Sequence, residues 1–290
     1  MTDTTSFDPF AGIQDEVAAD DHDTLTSLLD DAKRGYLPLR KSFAQRHSSQ
    51  GQGRDSPRGS TLAAFVTPGR ERALELFLLI HALQPMLDGN PLHLGTWARA
   101  LSAATGKTVT ASGVSRTLGQ LEAMNLLERL DTSRSPVLEL KSEDGLERAW
   151  KKPGQEPEGG AGYFVIPHLY WTLGLSRTLN LPGKAMMLVL LSHTQNPQTP
   201  AMAMPLERTK DWYGISERTA ERGYRELSQA GLLKTKIQKI PDPRHPAGRV
   251  EKYWRALAAP FDTPSRQKMQ AAAIKAATQK TLPGMVPPTT

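Results

Sequence analysis

Two segments of the chain share one pattern of apolar and polar positions. They are "GKTVTASGVSRTLGQLEAMNLL", from Gly106 to Leu127, and "GISERTAERGYRELSQAGLL", from Gly214 to Leu233. Aligned without gaps through their helical parts, they place apolar residues at matching positions: Val114 with Ala220, Leu118 with Tyr224, and Leu121 with Leu227. The spacing i, i+4 and i+7 is that of the buried stripe of an amphipathic helix. The pattern therefore predicts one helix in each segment.

The second segment also carries the signals that begin and end a helix. Ser216 is a good N-cap, and Gly231 stops the helix before Leu232 and Leu233. Upstream, "PLERTKDWYG" predicts a short preceding helix that ends at the tight step of Gly214. Two helices joined in this way form a helix-turn-helix, in which the first helix presents the second outward.

The outward side of the helix predicted after Ser216 is expected to be cationic. At about 100° per residue, four residues fall within roughly 40° of the side opposite Ala220. These four residues, called the cationic stripe below, are Arg218, Arg222, Arg225 and Gln229. The arginine guanidinium group can donate two hydrogen bonds at once, to phosphate oxygens or to guanine O6 and N7. A helix of this size fits the DNA major groove. The alternative is an ordinary solvated face, because three glutamates at helical spacing could pair with the arginines: Glu217, Glu221 and Glu226.

Two β-prone runs around a Pro- and Gly-rich turn follow this helix, in "KTKIQKIPDPRHPAGRVEKYWRAL" after Leu233, and predict a hairpin. The helix, its cap, the closing Gly-Leu-Leu and the hairpin resemble the winged helix-turn-helix superfamily of bacterial regulators, in a MarR-like and GntR-like pattern. The resemblance implies that the helix from Arg218 to Arg225 enters the major groove, while the hairpin from Arg244 to Arg249 contacts the DNA backbone or minor groove. The candidate DNA-binding residues here are Ser216, Arg218, Thr219, Arg222, Arg225, Gln229, Lys234, Lys236, Lys239, Arg244, His245, Arg249 and Lys252.

The first segment has the same neighbours as the second. An earlier helix is predicted in "TPGRERALELFLLIHAL" from Thr67 and in "LPGKAMMLVLLSHT" from Leu181. A hairpin recurs in "LLERLDTSRSPVLEL", with its turn at Asp131 to Pro136. The pattern therefore predicts a tandem of two winged-helix modules.

The two repeats differ in their outward residues. Where the second repeat has the cationic stripe, the first has Ser112, Arg116, Gly119 and Ala123. The candidate DNA-binding residues of the first repeat are Ser112, Ser115, Arg116 and Arg134. We prefer the interpretation that both repeats contact DNA and that the second dominates. The alternative, a first repeat that has become a protein-contact surface, stays open.

Composition divides the chain into five stretches. Residues 1–60 are acidic and then basic, and poor in apolar residues, which predicts a disordered arm. Winged-helix domains are predicted at 61–150 and 163–260, joined by a linker rich in Pro, Gly and charge at 151–162. Residues 261–290 predict a basic Ala-rich helix and a disordered tail. The predicted fold class is mainly α with small β-hairpin wings, an α+β fold.

One part of the arm could be ordered. "TLTSLLDDAKRGY" predicts a short amphipathic helix from Leu25, with Leu28 and Leu29 as anchors for a protein partner. The alternative, which we prefer, is a fraying arm that only keeps the protein in solution. Positions 1–31 hold acidic residues and no Lys or Arg, so the remainder is more basic than the total charge implies.

Charge and composition narrow the function classes. The 290 residues carry a formal net charge of +6 and a pI of about 9.5, a balance that favours polyanionic partners. No apolar run is long enough for a membrane span, and the N-terminus lacks the basic start and apolar block of a signal peptide. The lack of cysteine excludes disulfides and thiolate metal sites. We expect a soluble, cytoplasmic, nucleoid-associated protein.

No catalytic motif is evident in the sequence. "ATGKT" does not complete a phosphate-binding loop, because Leu101 stands where the first glycine of G-x-x-x-x-G-K-[ST] belongs. The seven histidines show no paired metal spacing, and no nuclease-like carboxylate cluster appears. Four tryptophans at apolar positions are expected in the core: Trp97, Trp171, Trp212 and Trp254. We therefore expect no enzymatic activity, no cofactor and no metal.

The predicted function is that of a sequence-preferring double-stranded DNA-binding protein, a transcriptional regulator that acts as a repressor. Phosphate neutralisation would supply affinity, and arginine contacts to bases would choose the site. Two alternatives stay open: a replication initiator or partition protein of a plasmid, phage or integrated element, and a docking component of a chromosome-organising complex. A homodimer and a protein partner for the N-terminal arm also stay open.

Overall fold

The computed structural model describes residues 17–45, 59–154 and 162–281. About half of these residues are helical, and the strands among them form three small antiparallel sheets. These helices and small sheets agree with the predicted α+β class.

In both halves of the chain, a run of helices is followed by a β-hairpin. The elements up to residue 140 are α1 (Asp21–Asp31), β1 (Tyr36–Arg40), α2 (Lys41–Ala44), α3 (Thr61–Val66), α4 (Glu71–Leu87), α5 (Leu94–Thr105), α6 (Ala111–Glu122), β2 (Leu127–Arg129) and β3 (Leu138–Leu140). Those that follow are β4 (Tyr163–Pro167), α7 (Leu169–Thr172), α8 (Leu175–Thr178), α9 (Leu181–His193), β5 (Met202–Ala203), a 3₁₀ turn (Leu206–Arg208), α10 (Thr209–Tyr213), α11 (Glu217–Gln229), β6 (Leu233–Pro241), β7 (Arg249–Leu257) and α12 (Thr263–Thr281).

The two repeats contain matching elements. The first consists of α4, α5, α6 and the hairpin β2–β3, and the second of α9, α10, α11 and the hairpin β6–β7, to which β5 adds a third strand. Ser216 caps α11, as predicted, and Thr110 caps α6 at the aligned position of the first repeat, by accepting backbone N–H hydrogen bonds of 3.3 and 3.1 Å. Gly106 and Gly214 end the preceding helices in the left-handed region, at φ of 65° and 71°. Each repeat therefore contains the predicted turn between two helices.

The N-terminal segment is folded where the sequence predicts a disordered arm. α1 packs along α5, and β1 pairs with β4 at the start of the second repeat. Leu28 and Leu29, the predicted anchors for a partner, are buried within the chain itself, as is Leu25. The prediction of disorder is wrong for residues 21–44, because the few apolar side chains of this segment pack into the hydrophobic core. Positions 1–16 and 46–58 of the predicted arm lie outside the described residues.

One hydrophobic core runs through both repeats. α2 and α3 contact α9, and Lys184 of α9 lies between Glu71 and Glu75 of α4, with its Nζ 2.8 and 2.9 Å from their carboxylate oxygens. The predicted domains at 61–150 and 163–260 therefore pack against each other and are not joined by a linker alone. Residues 155–161 of the predicted linker lie outside the described ranges.

α12 covers the Ala-rich segment that predicts a helix. Near its start, Arg266 is only 1% exposed and donates hydrogen bonds to the carbonyl oxygens of Leu191 and Thr194, at the end of α9. A cation at this position compensates the unpaired carbonyls of a helix C-terminus. The helix is thereby fixed to the second repeat, while the predicted disordered tail at 282–290 lies outside the described residues.

Candidate nucleic-acid interface

α11 lies directly against α9 and presents one face to it. Ala220 and Leu227 are fully buried and Tyr224 is 6% exposed, so the predicted apolar stripe lies in the core. Gly223 makes the closest approach, since a Cβ at this position would lie 2.3 Å from the carbonyl oxygen of Pro182. Glycine at position 223 therefore lets α9 and α11 approach each other more closely than any other residue would.

Gly223→Ala is expected to lower the free energy of unfolding by about 1–3 kcal/mol. Alanine would gain up to about 1 kcal/mol of helix propensity, but its methyl group would collide with the Pro182 backbone and with Met186 Cγ, 2.5 Å away. Urea denaturation measures the change. Gly119→Ala in α6 is the control, because the nearest atom to its Cβ is 3.7 Å away. If both variants are as stable as the wild type, α9 and α11 do not pack as closely as described.

Glu226 caps α9 and does not pair with the arginines. Its carboxylate accepts hydrogen bonds from the backbone N–H groups of Asn180 and Gly183, both at 3.2 Å. A negative charge is favourable at a helix N-terminus. The contact fixes the rotation of α11 about its axis, and it removes one of the three glutamates that could neutralise the cationic stripe.

The cationic stripe is exposed along its whole length. Arg225 donates to Glu221 at 3.0 Å, but the two side chains are 62% and 56% exposed. Such a pair on a helix surface contributes about 0.3–0.5 kcal/mol, so a phosphate group can replace the glutamate. Arg218 and Arg222 form no ion pair or hydrogen bond within the part of the chain that the structure describes. Two guanidinium groups are therefore available to a ligand without breaking any contact.

The predicted polar residues at the start of α11 lie beside the stripe. The hydroxyl groups of Ser216 and Thr219 are 2.8 Å apart, and Ser216 is exposed. Because Ser216 already caps the helix, its role is first of all to begin α11 at this residue. The exposed backbone at this helix N-terminus carries a partial positive charge, which suits a phosphate.

The second hairpin extends far beyond the core. β6 and β7 pair over nine residues each, roughly 30 Å, and are joined by the turn at 242–248. The exposed Arg244 and Arg249 lie at this turn. His245 Nδ1 accepts the N–H of Ala247 at 3.2 Å, so its ring helps to hold the turn. Two of the predicted cations therefore lie at the far end of the hairpin.

Arg255 links the hairpin to α11. Its guanidinium lies 4.2 Å above the ring of Tyr224, and it donates to the Met204 carbonyl oxygen at 3.2 Å. Burial raises the pKa of Tyr224 to about 12, so the ring carries no charge. Nothing in the sequence singles out Arg255, because one more basic residue in a basic hairpin gives no signal that it stacks on a helix.

The predicted basic residues of the second hairpin lie on both of its faces. Successive side chains of a strand point to opposite faces, so the contact of Arg255 with Tyr224 places Lys239 on the side of α11. The opposite side, called the outer face below, carries Lys234, Lys236, Gln238, Lys252 and Trp254. Three of the four candidate lysines of the hairpin therefore face away from the cationic stripe.

The matching surface of the first repeat is occupied by the protein's own side chains. Arg129 donates to Ser115 Oγ at 3.1 Å and pairs with Glu122 at 2.6 Å. The hydrogen bond from Arg129 holds the pKa of Glu122 below its usual value. Ser112 shares a hydrogen bond of 3.0 Å with Thr110. The predicted contacts of Ser112 and Ser115 with DNA would therefore compete with bonds inside the protein.

The first hairpin is acidic where the second is basic. Glu128 lies opposite Glu139 across the two strands, and Lys141 Nζ is 3.0 Å from Glu128. Arg116 and Arg134 are exposed cations near this hairpin. The basic surface of the second repeat is therefore not repeated in the first, and the geometry favours the second repeat as the one that contacts a polyanion.

Metal sites and membrane spans are absent from the part of the chain that the structure describes. No group of three His, Asp or Glu residues in the described ranges could hold a metal ion. None of the described helices is both long and apolar enough to cross a membrane. The chain matches no protein-family model, no curated protein and no solved structure.

Proposed function

We propose that the protein binds double-stranded DNA through its second repeat, with α11 in the major groove and the hairpin β6–β7 along the backbone. The observation that carries the proposal is that Arg218 and Arg222 are exposed and unpaired among the described residues. They project from a helix that Gly223 and Glu226 fix against α9. The order helix, turn, helix and hairpin supports two winged-helix modules, of which the second contacts the duplex.

The dimensions of the cationic stripe suit base recognition. At 1.5 Å per residue, Arg218 and Arg225 are separated by roughly 10 Å along α11, which corresponds to about three base pairs at 3.4 Å each. Arginine is the most frequent partner of guanine in the major groove. Arg244 and Arg249, at the far end of the hairpin, supply contacts to phosphate, which add affinity without sequence information.

A transcriptional repressor is the role we propose for this binding. A replication initiator is the second candidate, and the outer face of the hairpin favours it, because that face offers an aromatic ring and lysines to unpaired DNA. Footprinting separates the two roles. A repressor protects a short single or inverted site at a promoter, whereas an initiator occupies repeated sites beside an AT-rich region.

Replacing Arg218, Arg222 and Arg225 with alanine is expected to weaken duplex binding about 100-fold or more, since each bidentate arginine contact contributes about 1–3 kcal/mol. The duplex is first selected from a random library with the purified protein. Fluorescence anisotropy then measures affinity over a range of salt concentrations. For each arginine that contacts phosphate, its replacement by alanine should also make the plot of log K against log salt less steep, by about one unit of slope.

Arg116→Ala is the matched control, because Arg116 occupies the position of Arg222 in the first repeat. We expect this variant to retain nearly all of the duplex affinity. Equal losses for Arg116→Ala and for the triple variant would contradict the assignment to the second repeat. Weak binding without any selected motif would instead indicate a protein-docking module.

A further inference from the structure

The outer face of the second hairpin carries a tryptophan that core packing does not explain. Trp97 and Trp171 are buried and Trp212 packs against the core, as predicted, but Trp254 does not pack there. The prediction of a core position is wrong for Trp254, because the alternation of β7 turns this residue away from α11. Its indole N–H donates to Gln238 Oε1 at 2.7 Å, which fixes the plane of the ring. The ring is thus both partly exposed and held in place.

The surroundings of Trp254 combine an apolar floor with positive charge. The ring lines an open cavity of about 450 Å³ together with Ala201 and Ala256. Lys234 and Lys236 line the same cavity, and no acidic side chain does. A third lysine, Lys252, lies with its Nζ 4.6 Å from the ring centroid, in a cation–π contact. The neighbouring acidic residue of the strand, Glu251, belongs to the opposite face of the hairpin.

We propose that the outer face of the hairpin binds single-stranded nucleic acid, with one base stacked on Trp254 and the lysines on the flanking phosphates. In a duplex the bases already stack on one another, so only an unpaired base can present its flat side to the indole. An acidic peptide would satisfy the lysines but would leave the ring and the alanine floor without a matching group. The cavity volume lies within the range of small-ligand sites, roughly 300–1,000 Å³.

The lysines can exchange their present contacts for phosphate groups when single-stranded nucleic acid binds. Lys252 is exposed, and a cation–π contact at an exposed site is weak. A base can therefore displace its ammonium group from above the ring, after which the ammonium can pair with a phosphate. This binding goes beyond the duplex contacts proposed for α11 and does not depend on them, because the two surfaces lie on opposite sides of one sheet.

The test uses the full chain and a fluorescein-labelled oligothymidine of about 12 nucleotides. Trp254→Ala is expected to weaken binding of this probe by about 5- to 150-fold, the usual effect of losing one stacked base. Binding of the selected duplex should stay within about twofold, because Trp254 lies on the outer face, away from the cationic stripe and from Arg244 and Arg249 at the far end of the hairpin. Trp254→Phe keeps an aromatic ring and should restore most of the affinity for the probe. Quenching of tryptophan fluorescence by unlabelled oligothymidine should decrease in both variants.

The proposal is overturned if Trp254→Ala binds oligothymidine as tightly as the wild type, or if it loses duplex binding to the same extent. It is also overturned if polyglutamate displaces the probe at the same charge concentration as unlabelled oligothymidine, which would indicate an acidic protein partner. The triple alanine variant of the cationic stripe separates this proposal from duplex binding. That variant should lose the duplex and retain oligothymidine.

Discussion

Replacing Lys184 with alanine is expected to lower the free energy of unfolding by about 3–5 kcal/mol. The lysine is 1% exposed, and its Nζ lies between the carboxylates of Glu71 and Glu75, at 2.8 and 2.9 Å. Without it, the fully buried Glu75 would keep the hydrogen bond from the Tyr170 hydroxyl but lose its balancing charge. Burial already raises the pKa of Glu75, and the ammonium group opposes that rise. Urea denaturation at pH 7.5 measures the loss.

The double variant Lys184→Met and Glu75→Gln is the matched control. It removes both buried charges and keeps a side-chain oxygen for Tyr170, so it should recover at least about 2 kcal/mol of the loss. Because Glu75 belongs to the first repeat and Lys184 to the second, the wild type should unfold in one transition. Two separate transitions, or a Lys184→Ala protein as stable as the wild type, would show that the ion pair does not join the repeats.

The parts of the fold that the sequence predicts are those that depend on near neighbours in the chain. The caps at Thr110 and Ser216, the helix from 217 to 229 and the second hairpin all depend on residue types a few positions apart. The exposed positions of Arg218 and Arg222 follow from the same helical period. The part of the candidate interface that lies on α11 is therefore predicted by the sequence pattern alone.

The remaining features depend on contacts between distant parts of the chain. Nothing near Glu226 indicates that it caps α9, and nothing near Arg129 indicates that it covers Ser115. The lysines of the hairpin divide between two faces because of a strand register that side-chain types do not reveal. The pairing of β1 with β4 likewise joins the N-terminal segment to the start of the second repeat, two segments far apart in the sequence, so composition alone suggests a disordered arm.

The protein is expected to lose several kcal/mol of stability as the pH falls from 7.5 to 5, because two buried histidines, His81 and His168, and the half-buried His193 are held as neutral rings. Burial lowers the pKa of His81 to about 3 and those of His168 and His193 to about 4. The unfolded chain binds these protons near pH 6.5 and the folded protein does not, so stability decreases below that pH. At pH 5 each histidine costs about 2 kcal/mol. The nearest cations come from the N-terminal segment: Arg40, Arg34 and Lys41.

His81→Leu isolates one histidine from the other titrating groups. Burial raises the pKa values of Glu75 and Glu143, which stabilises the folded protein as the pH falls and offsets part of the total loss. Neither ring nitrogen of His81 has a hydrogen-bond partner among the described residues, so leucine should leave stability at pH 7.5 equal or higher. The decrease between pH 7.5 and 5 should shrink by about 2 kcal/mol, whereas His22→Gln, at an exposed position, should leave it unchanged. If His81→Leu shows the pH dependence of the wild type, the ring of His81 is not buried as a neutral group, and the fold of the N-terminal segment around it needs another explanation.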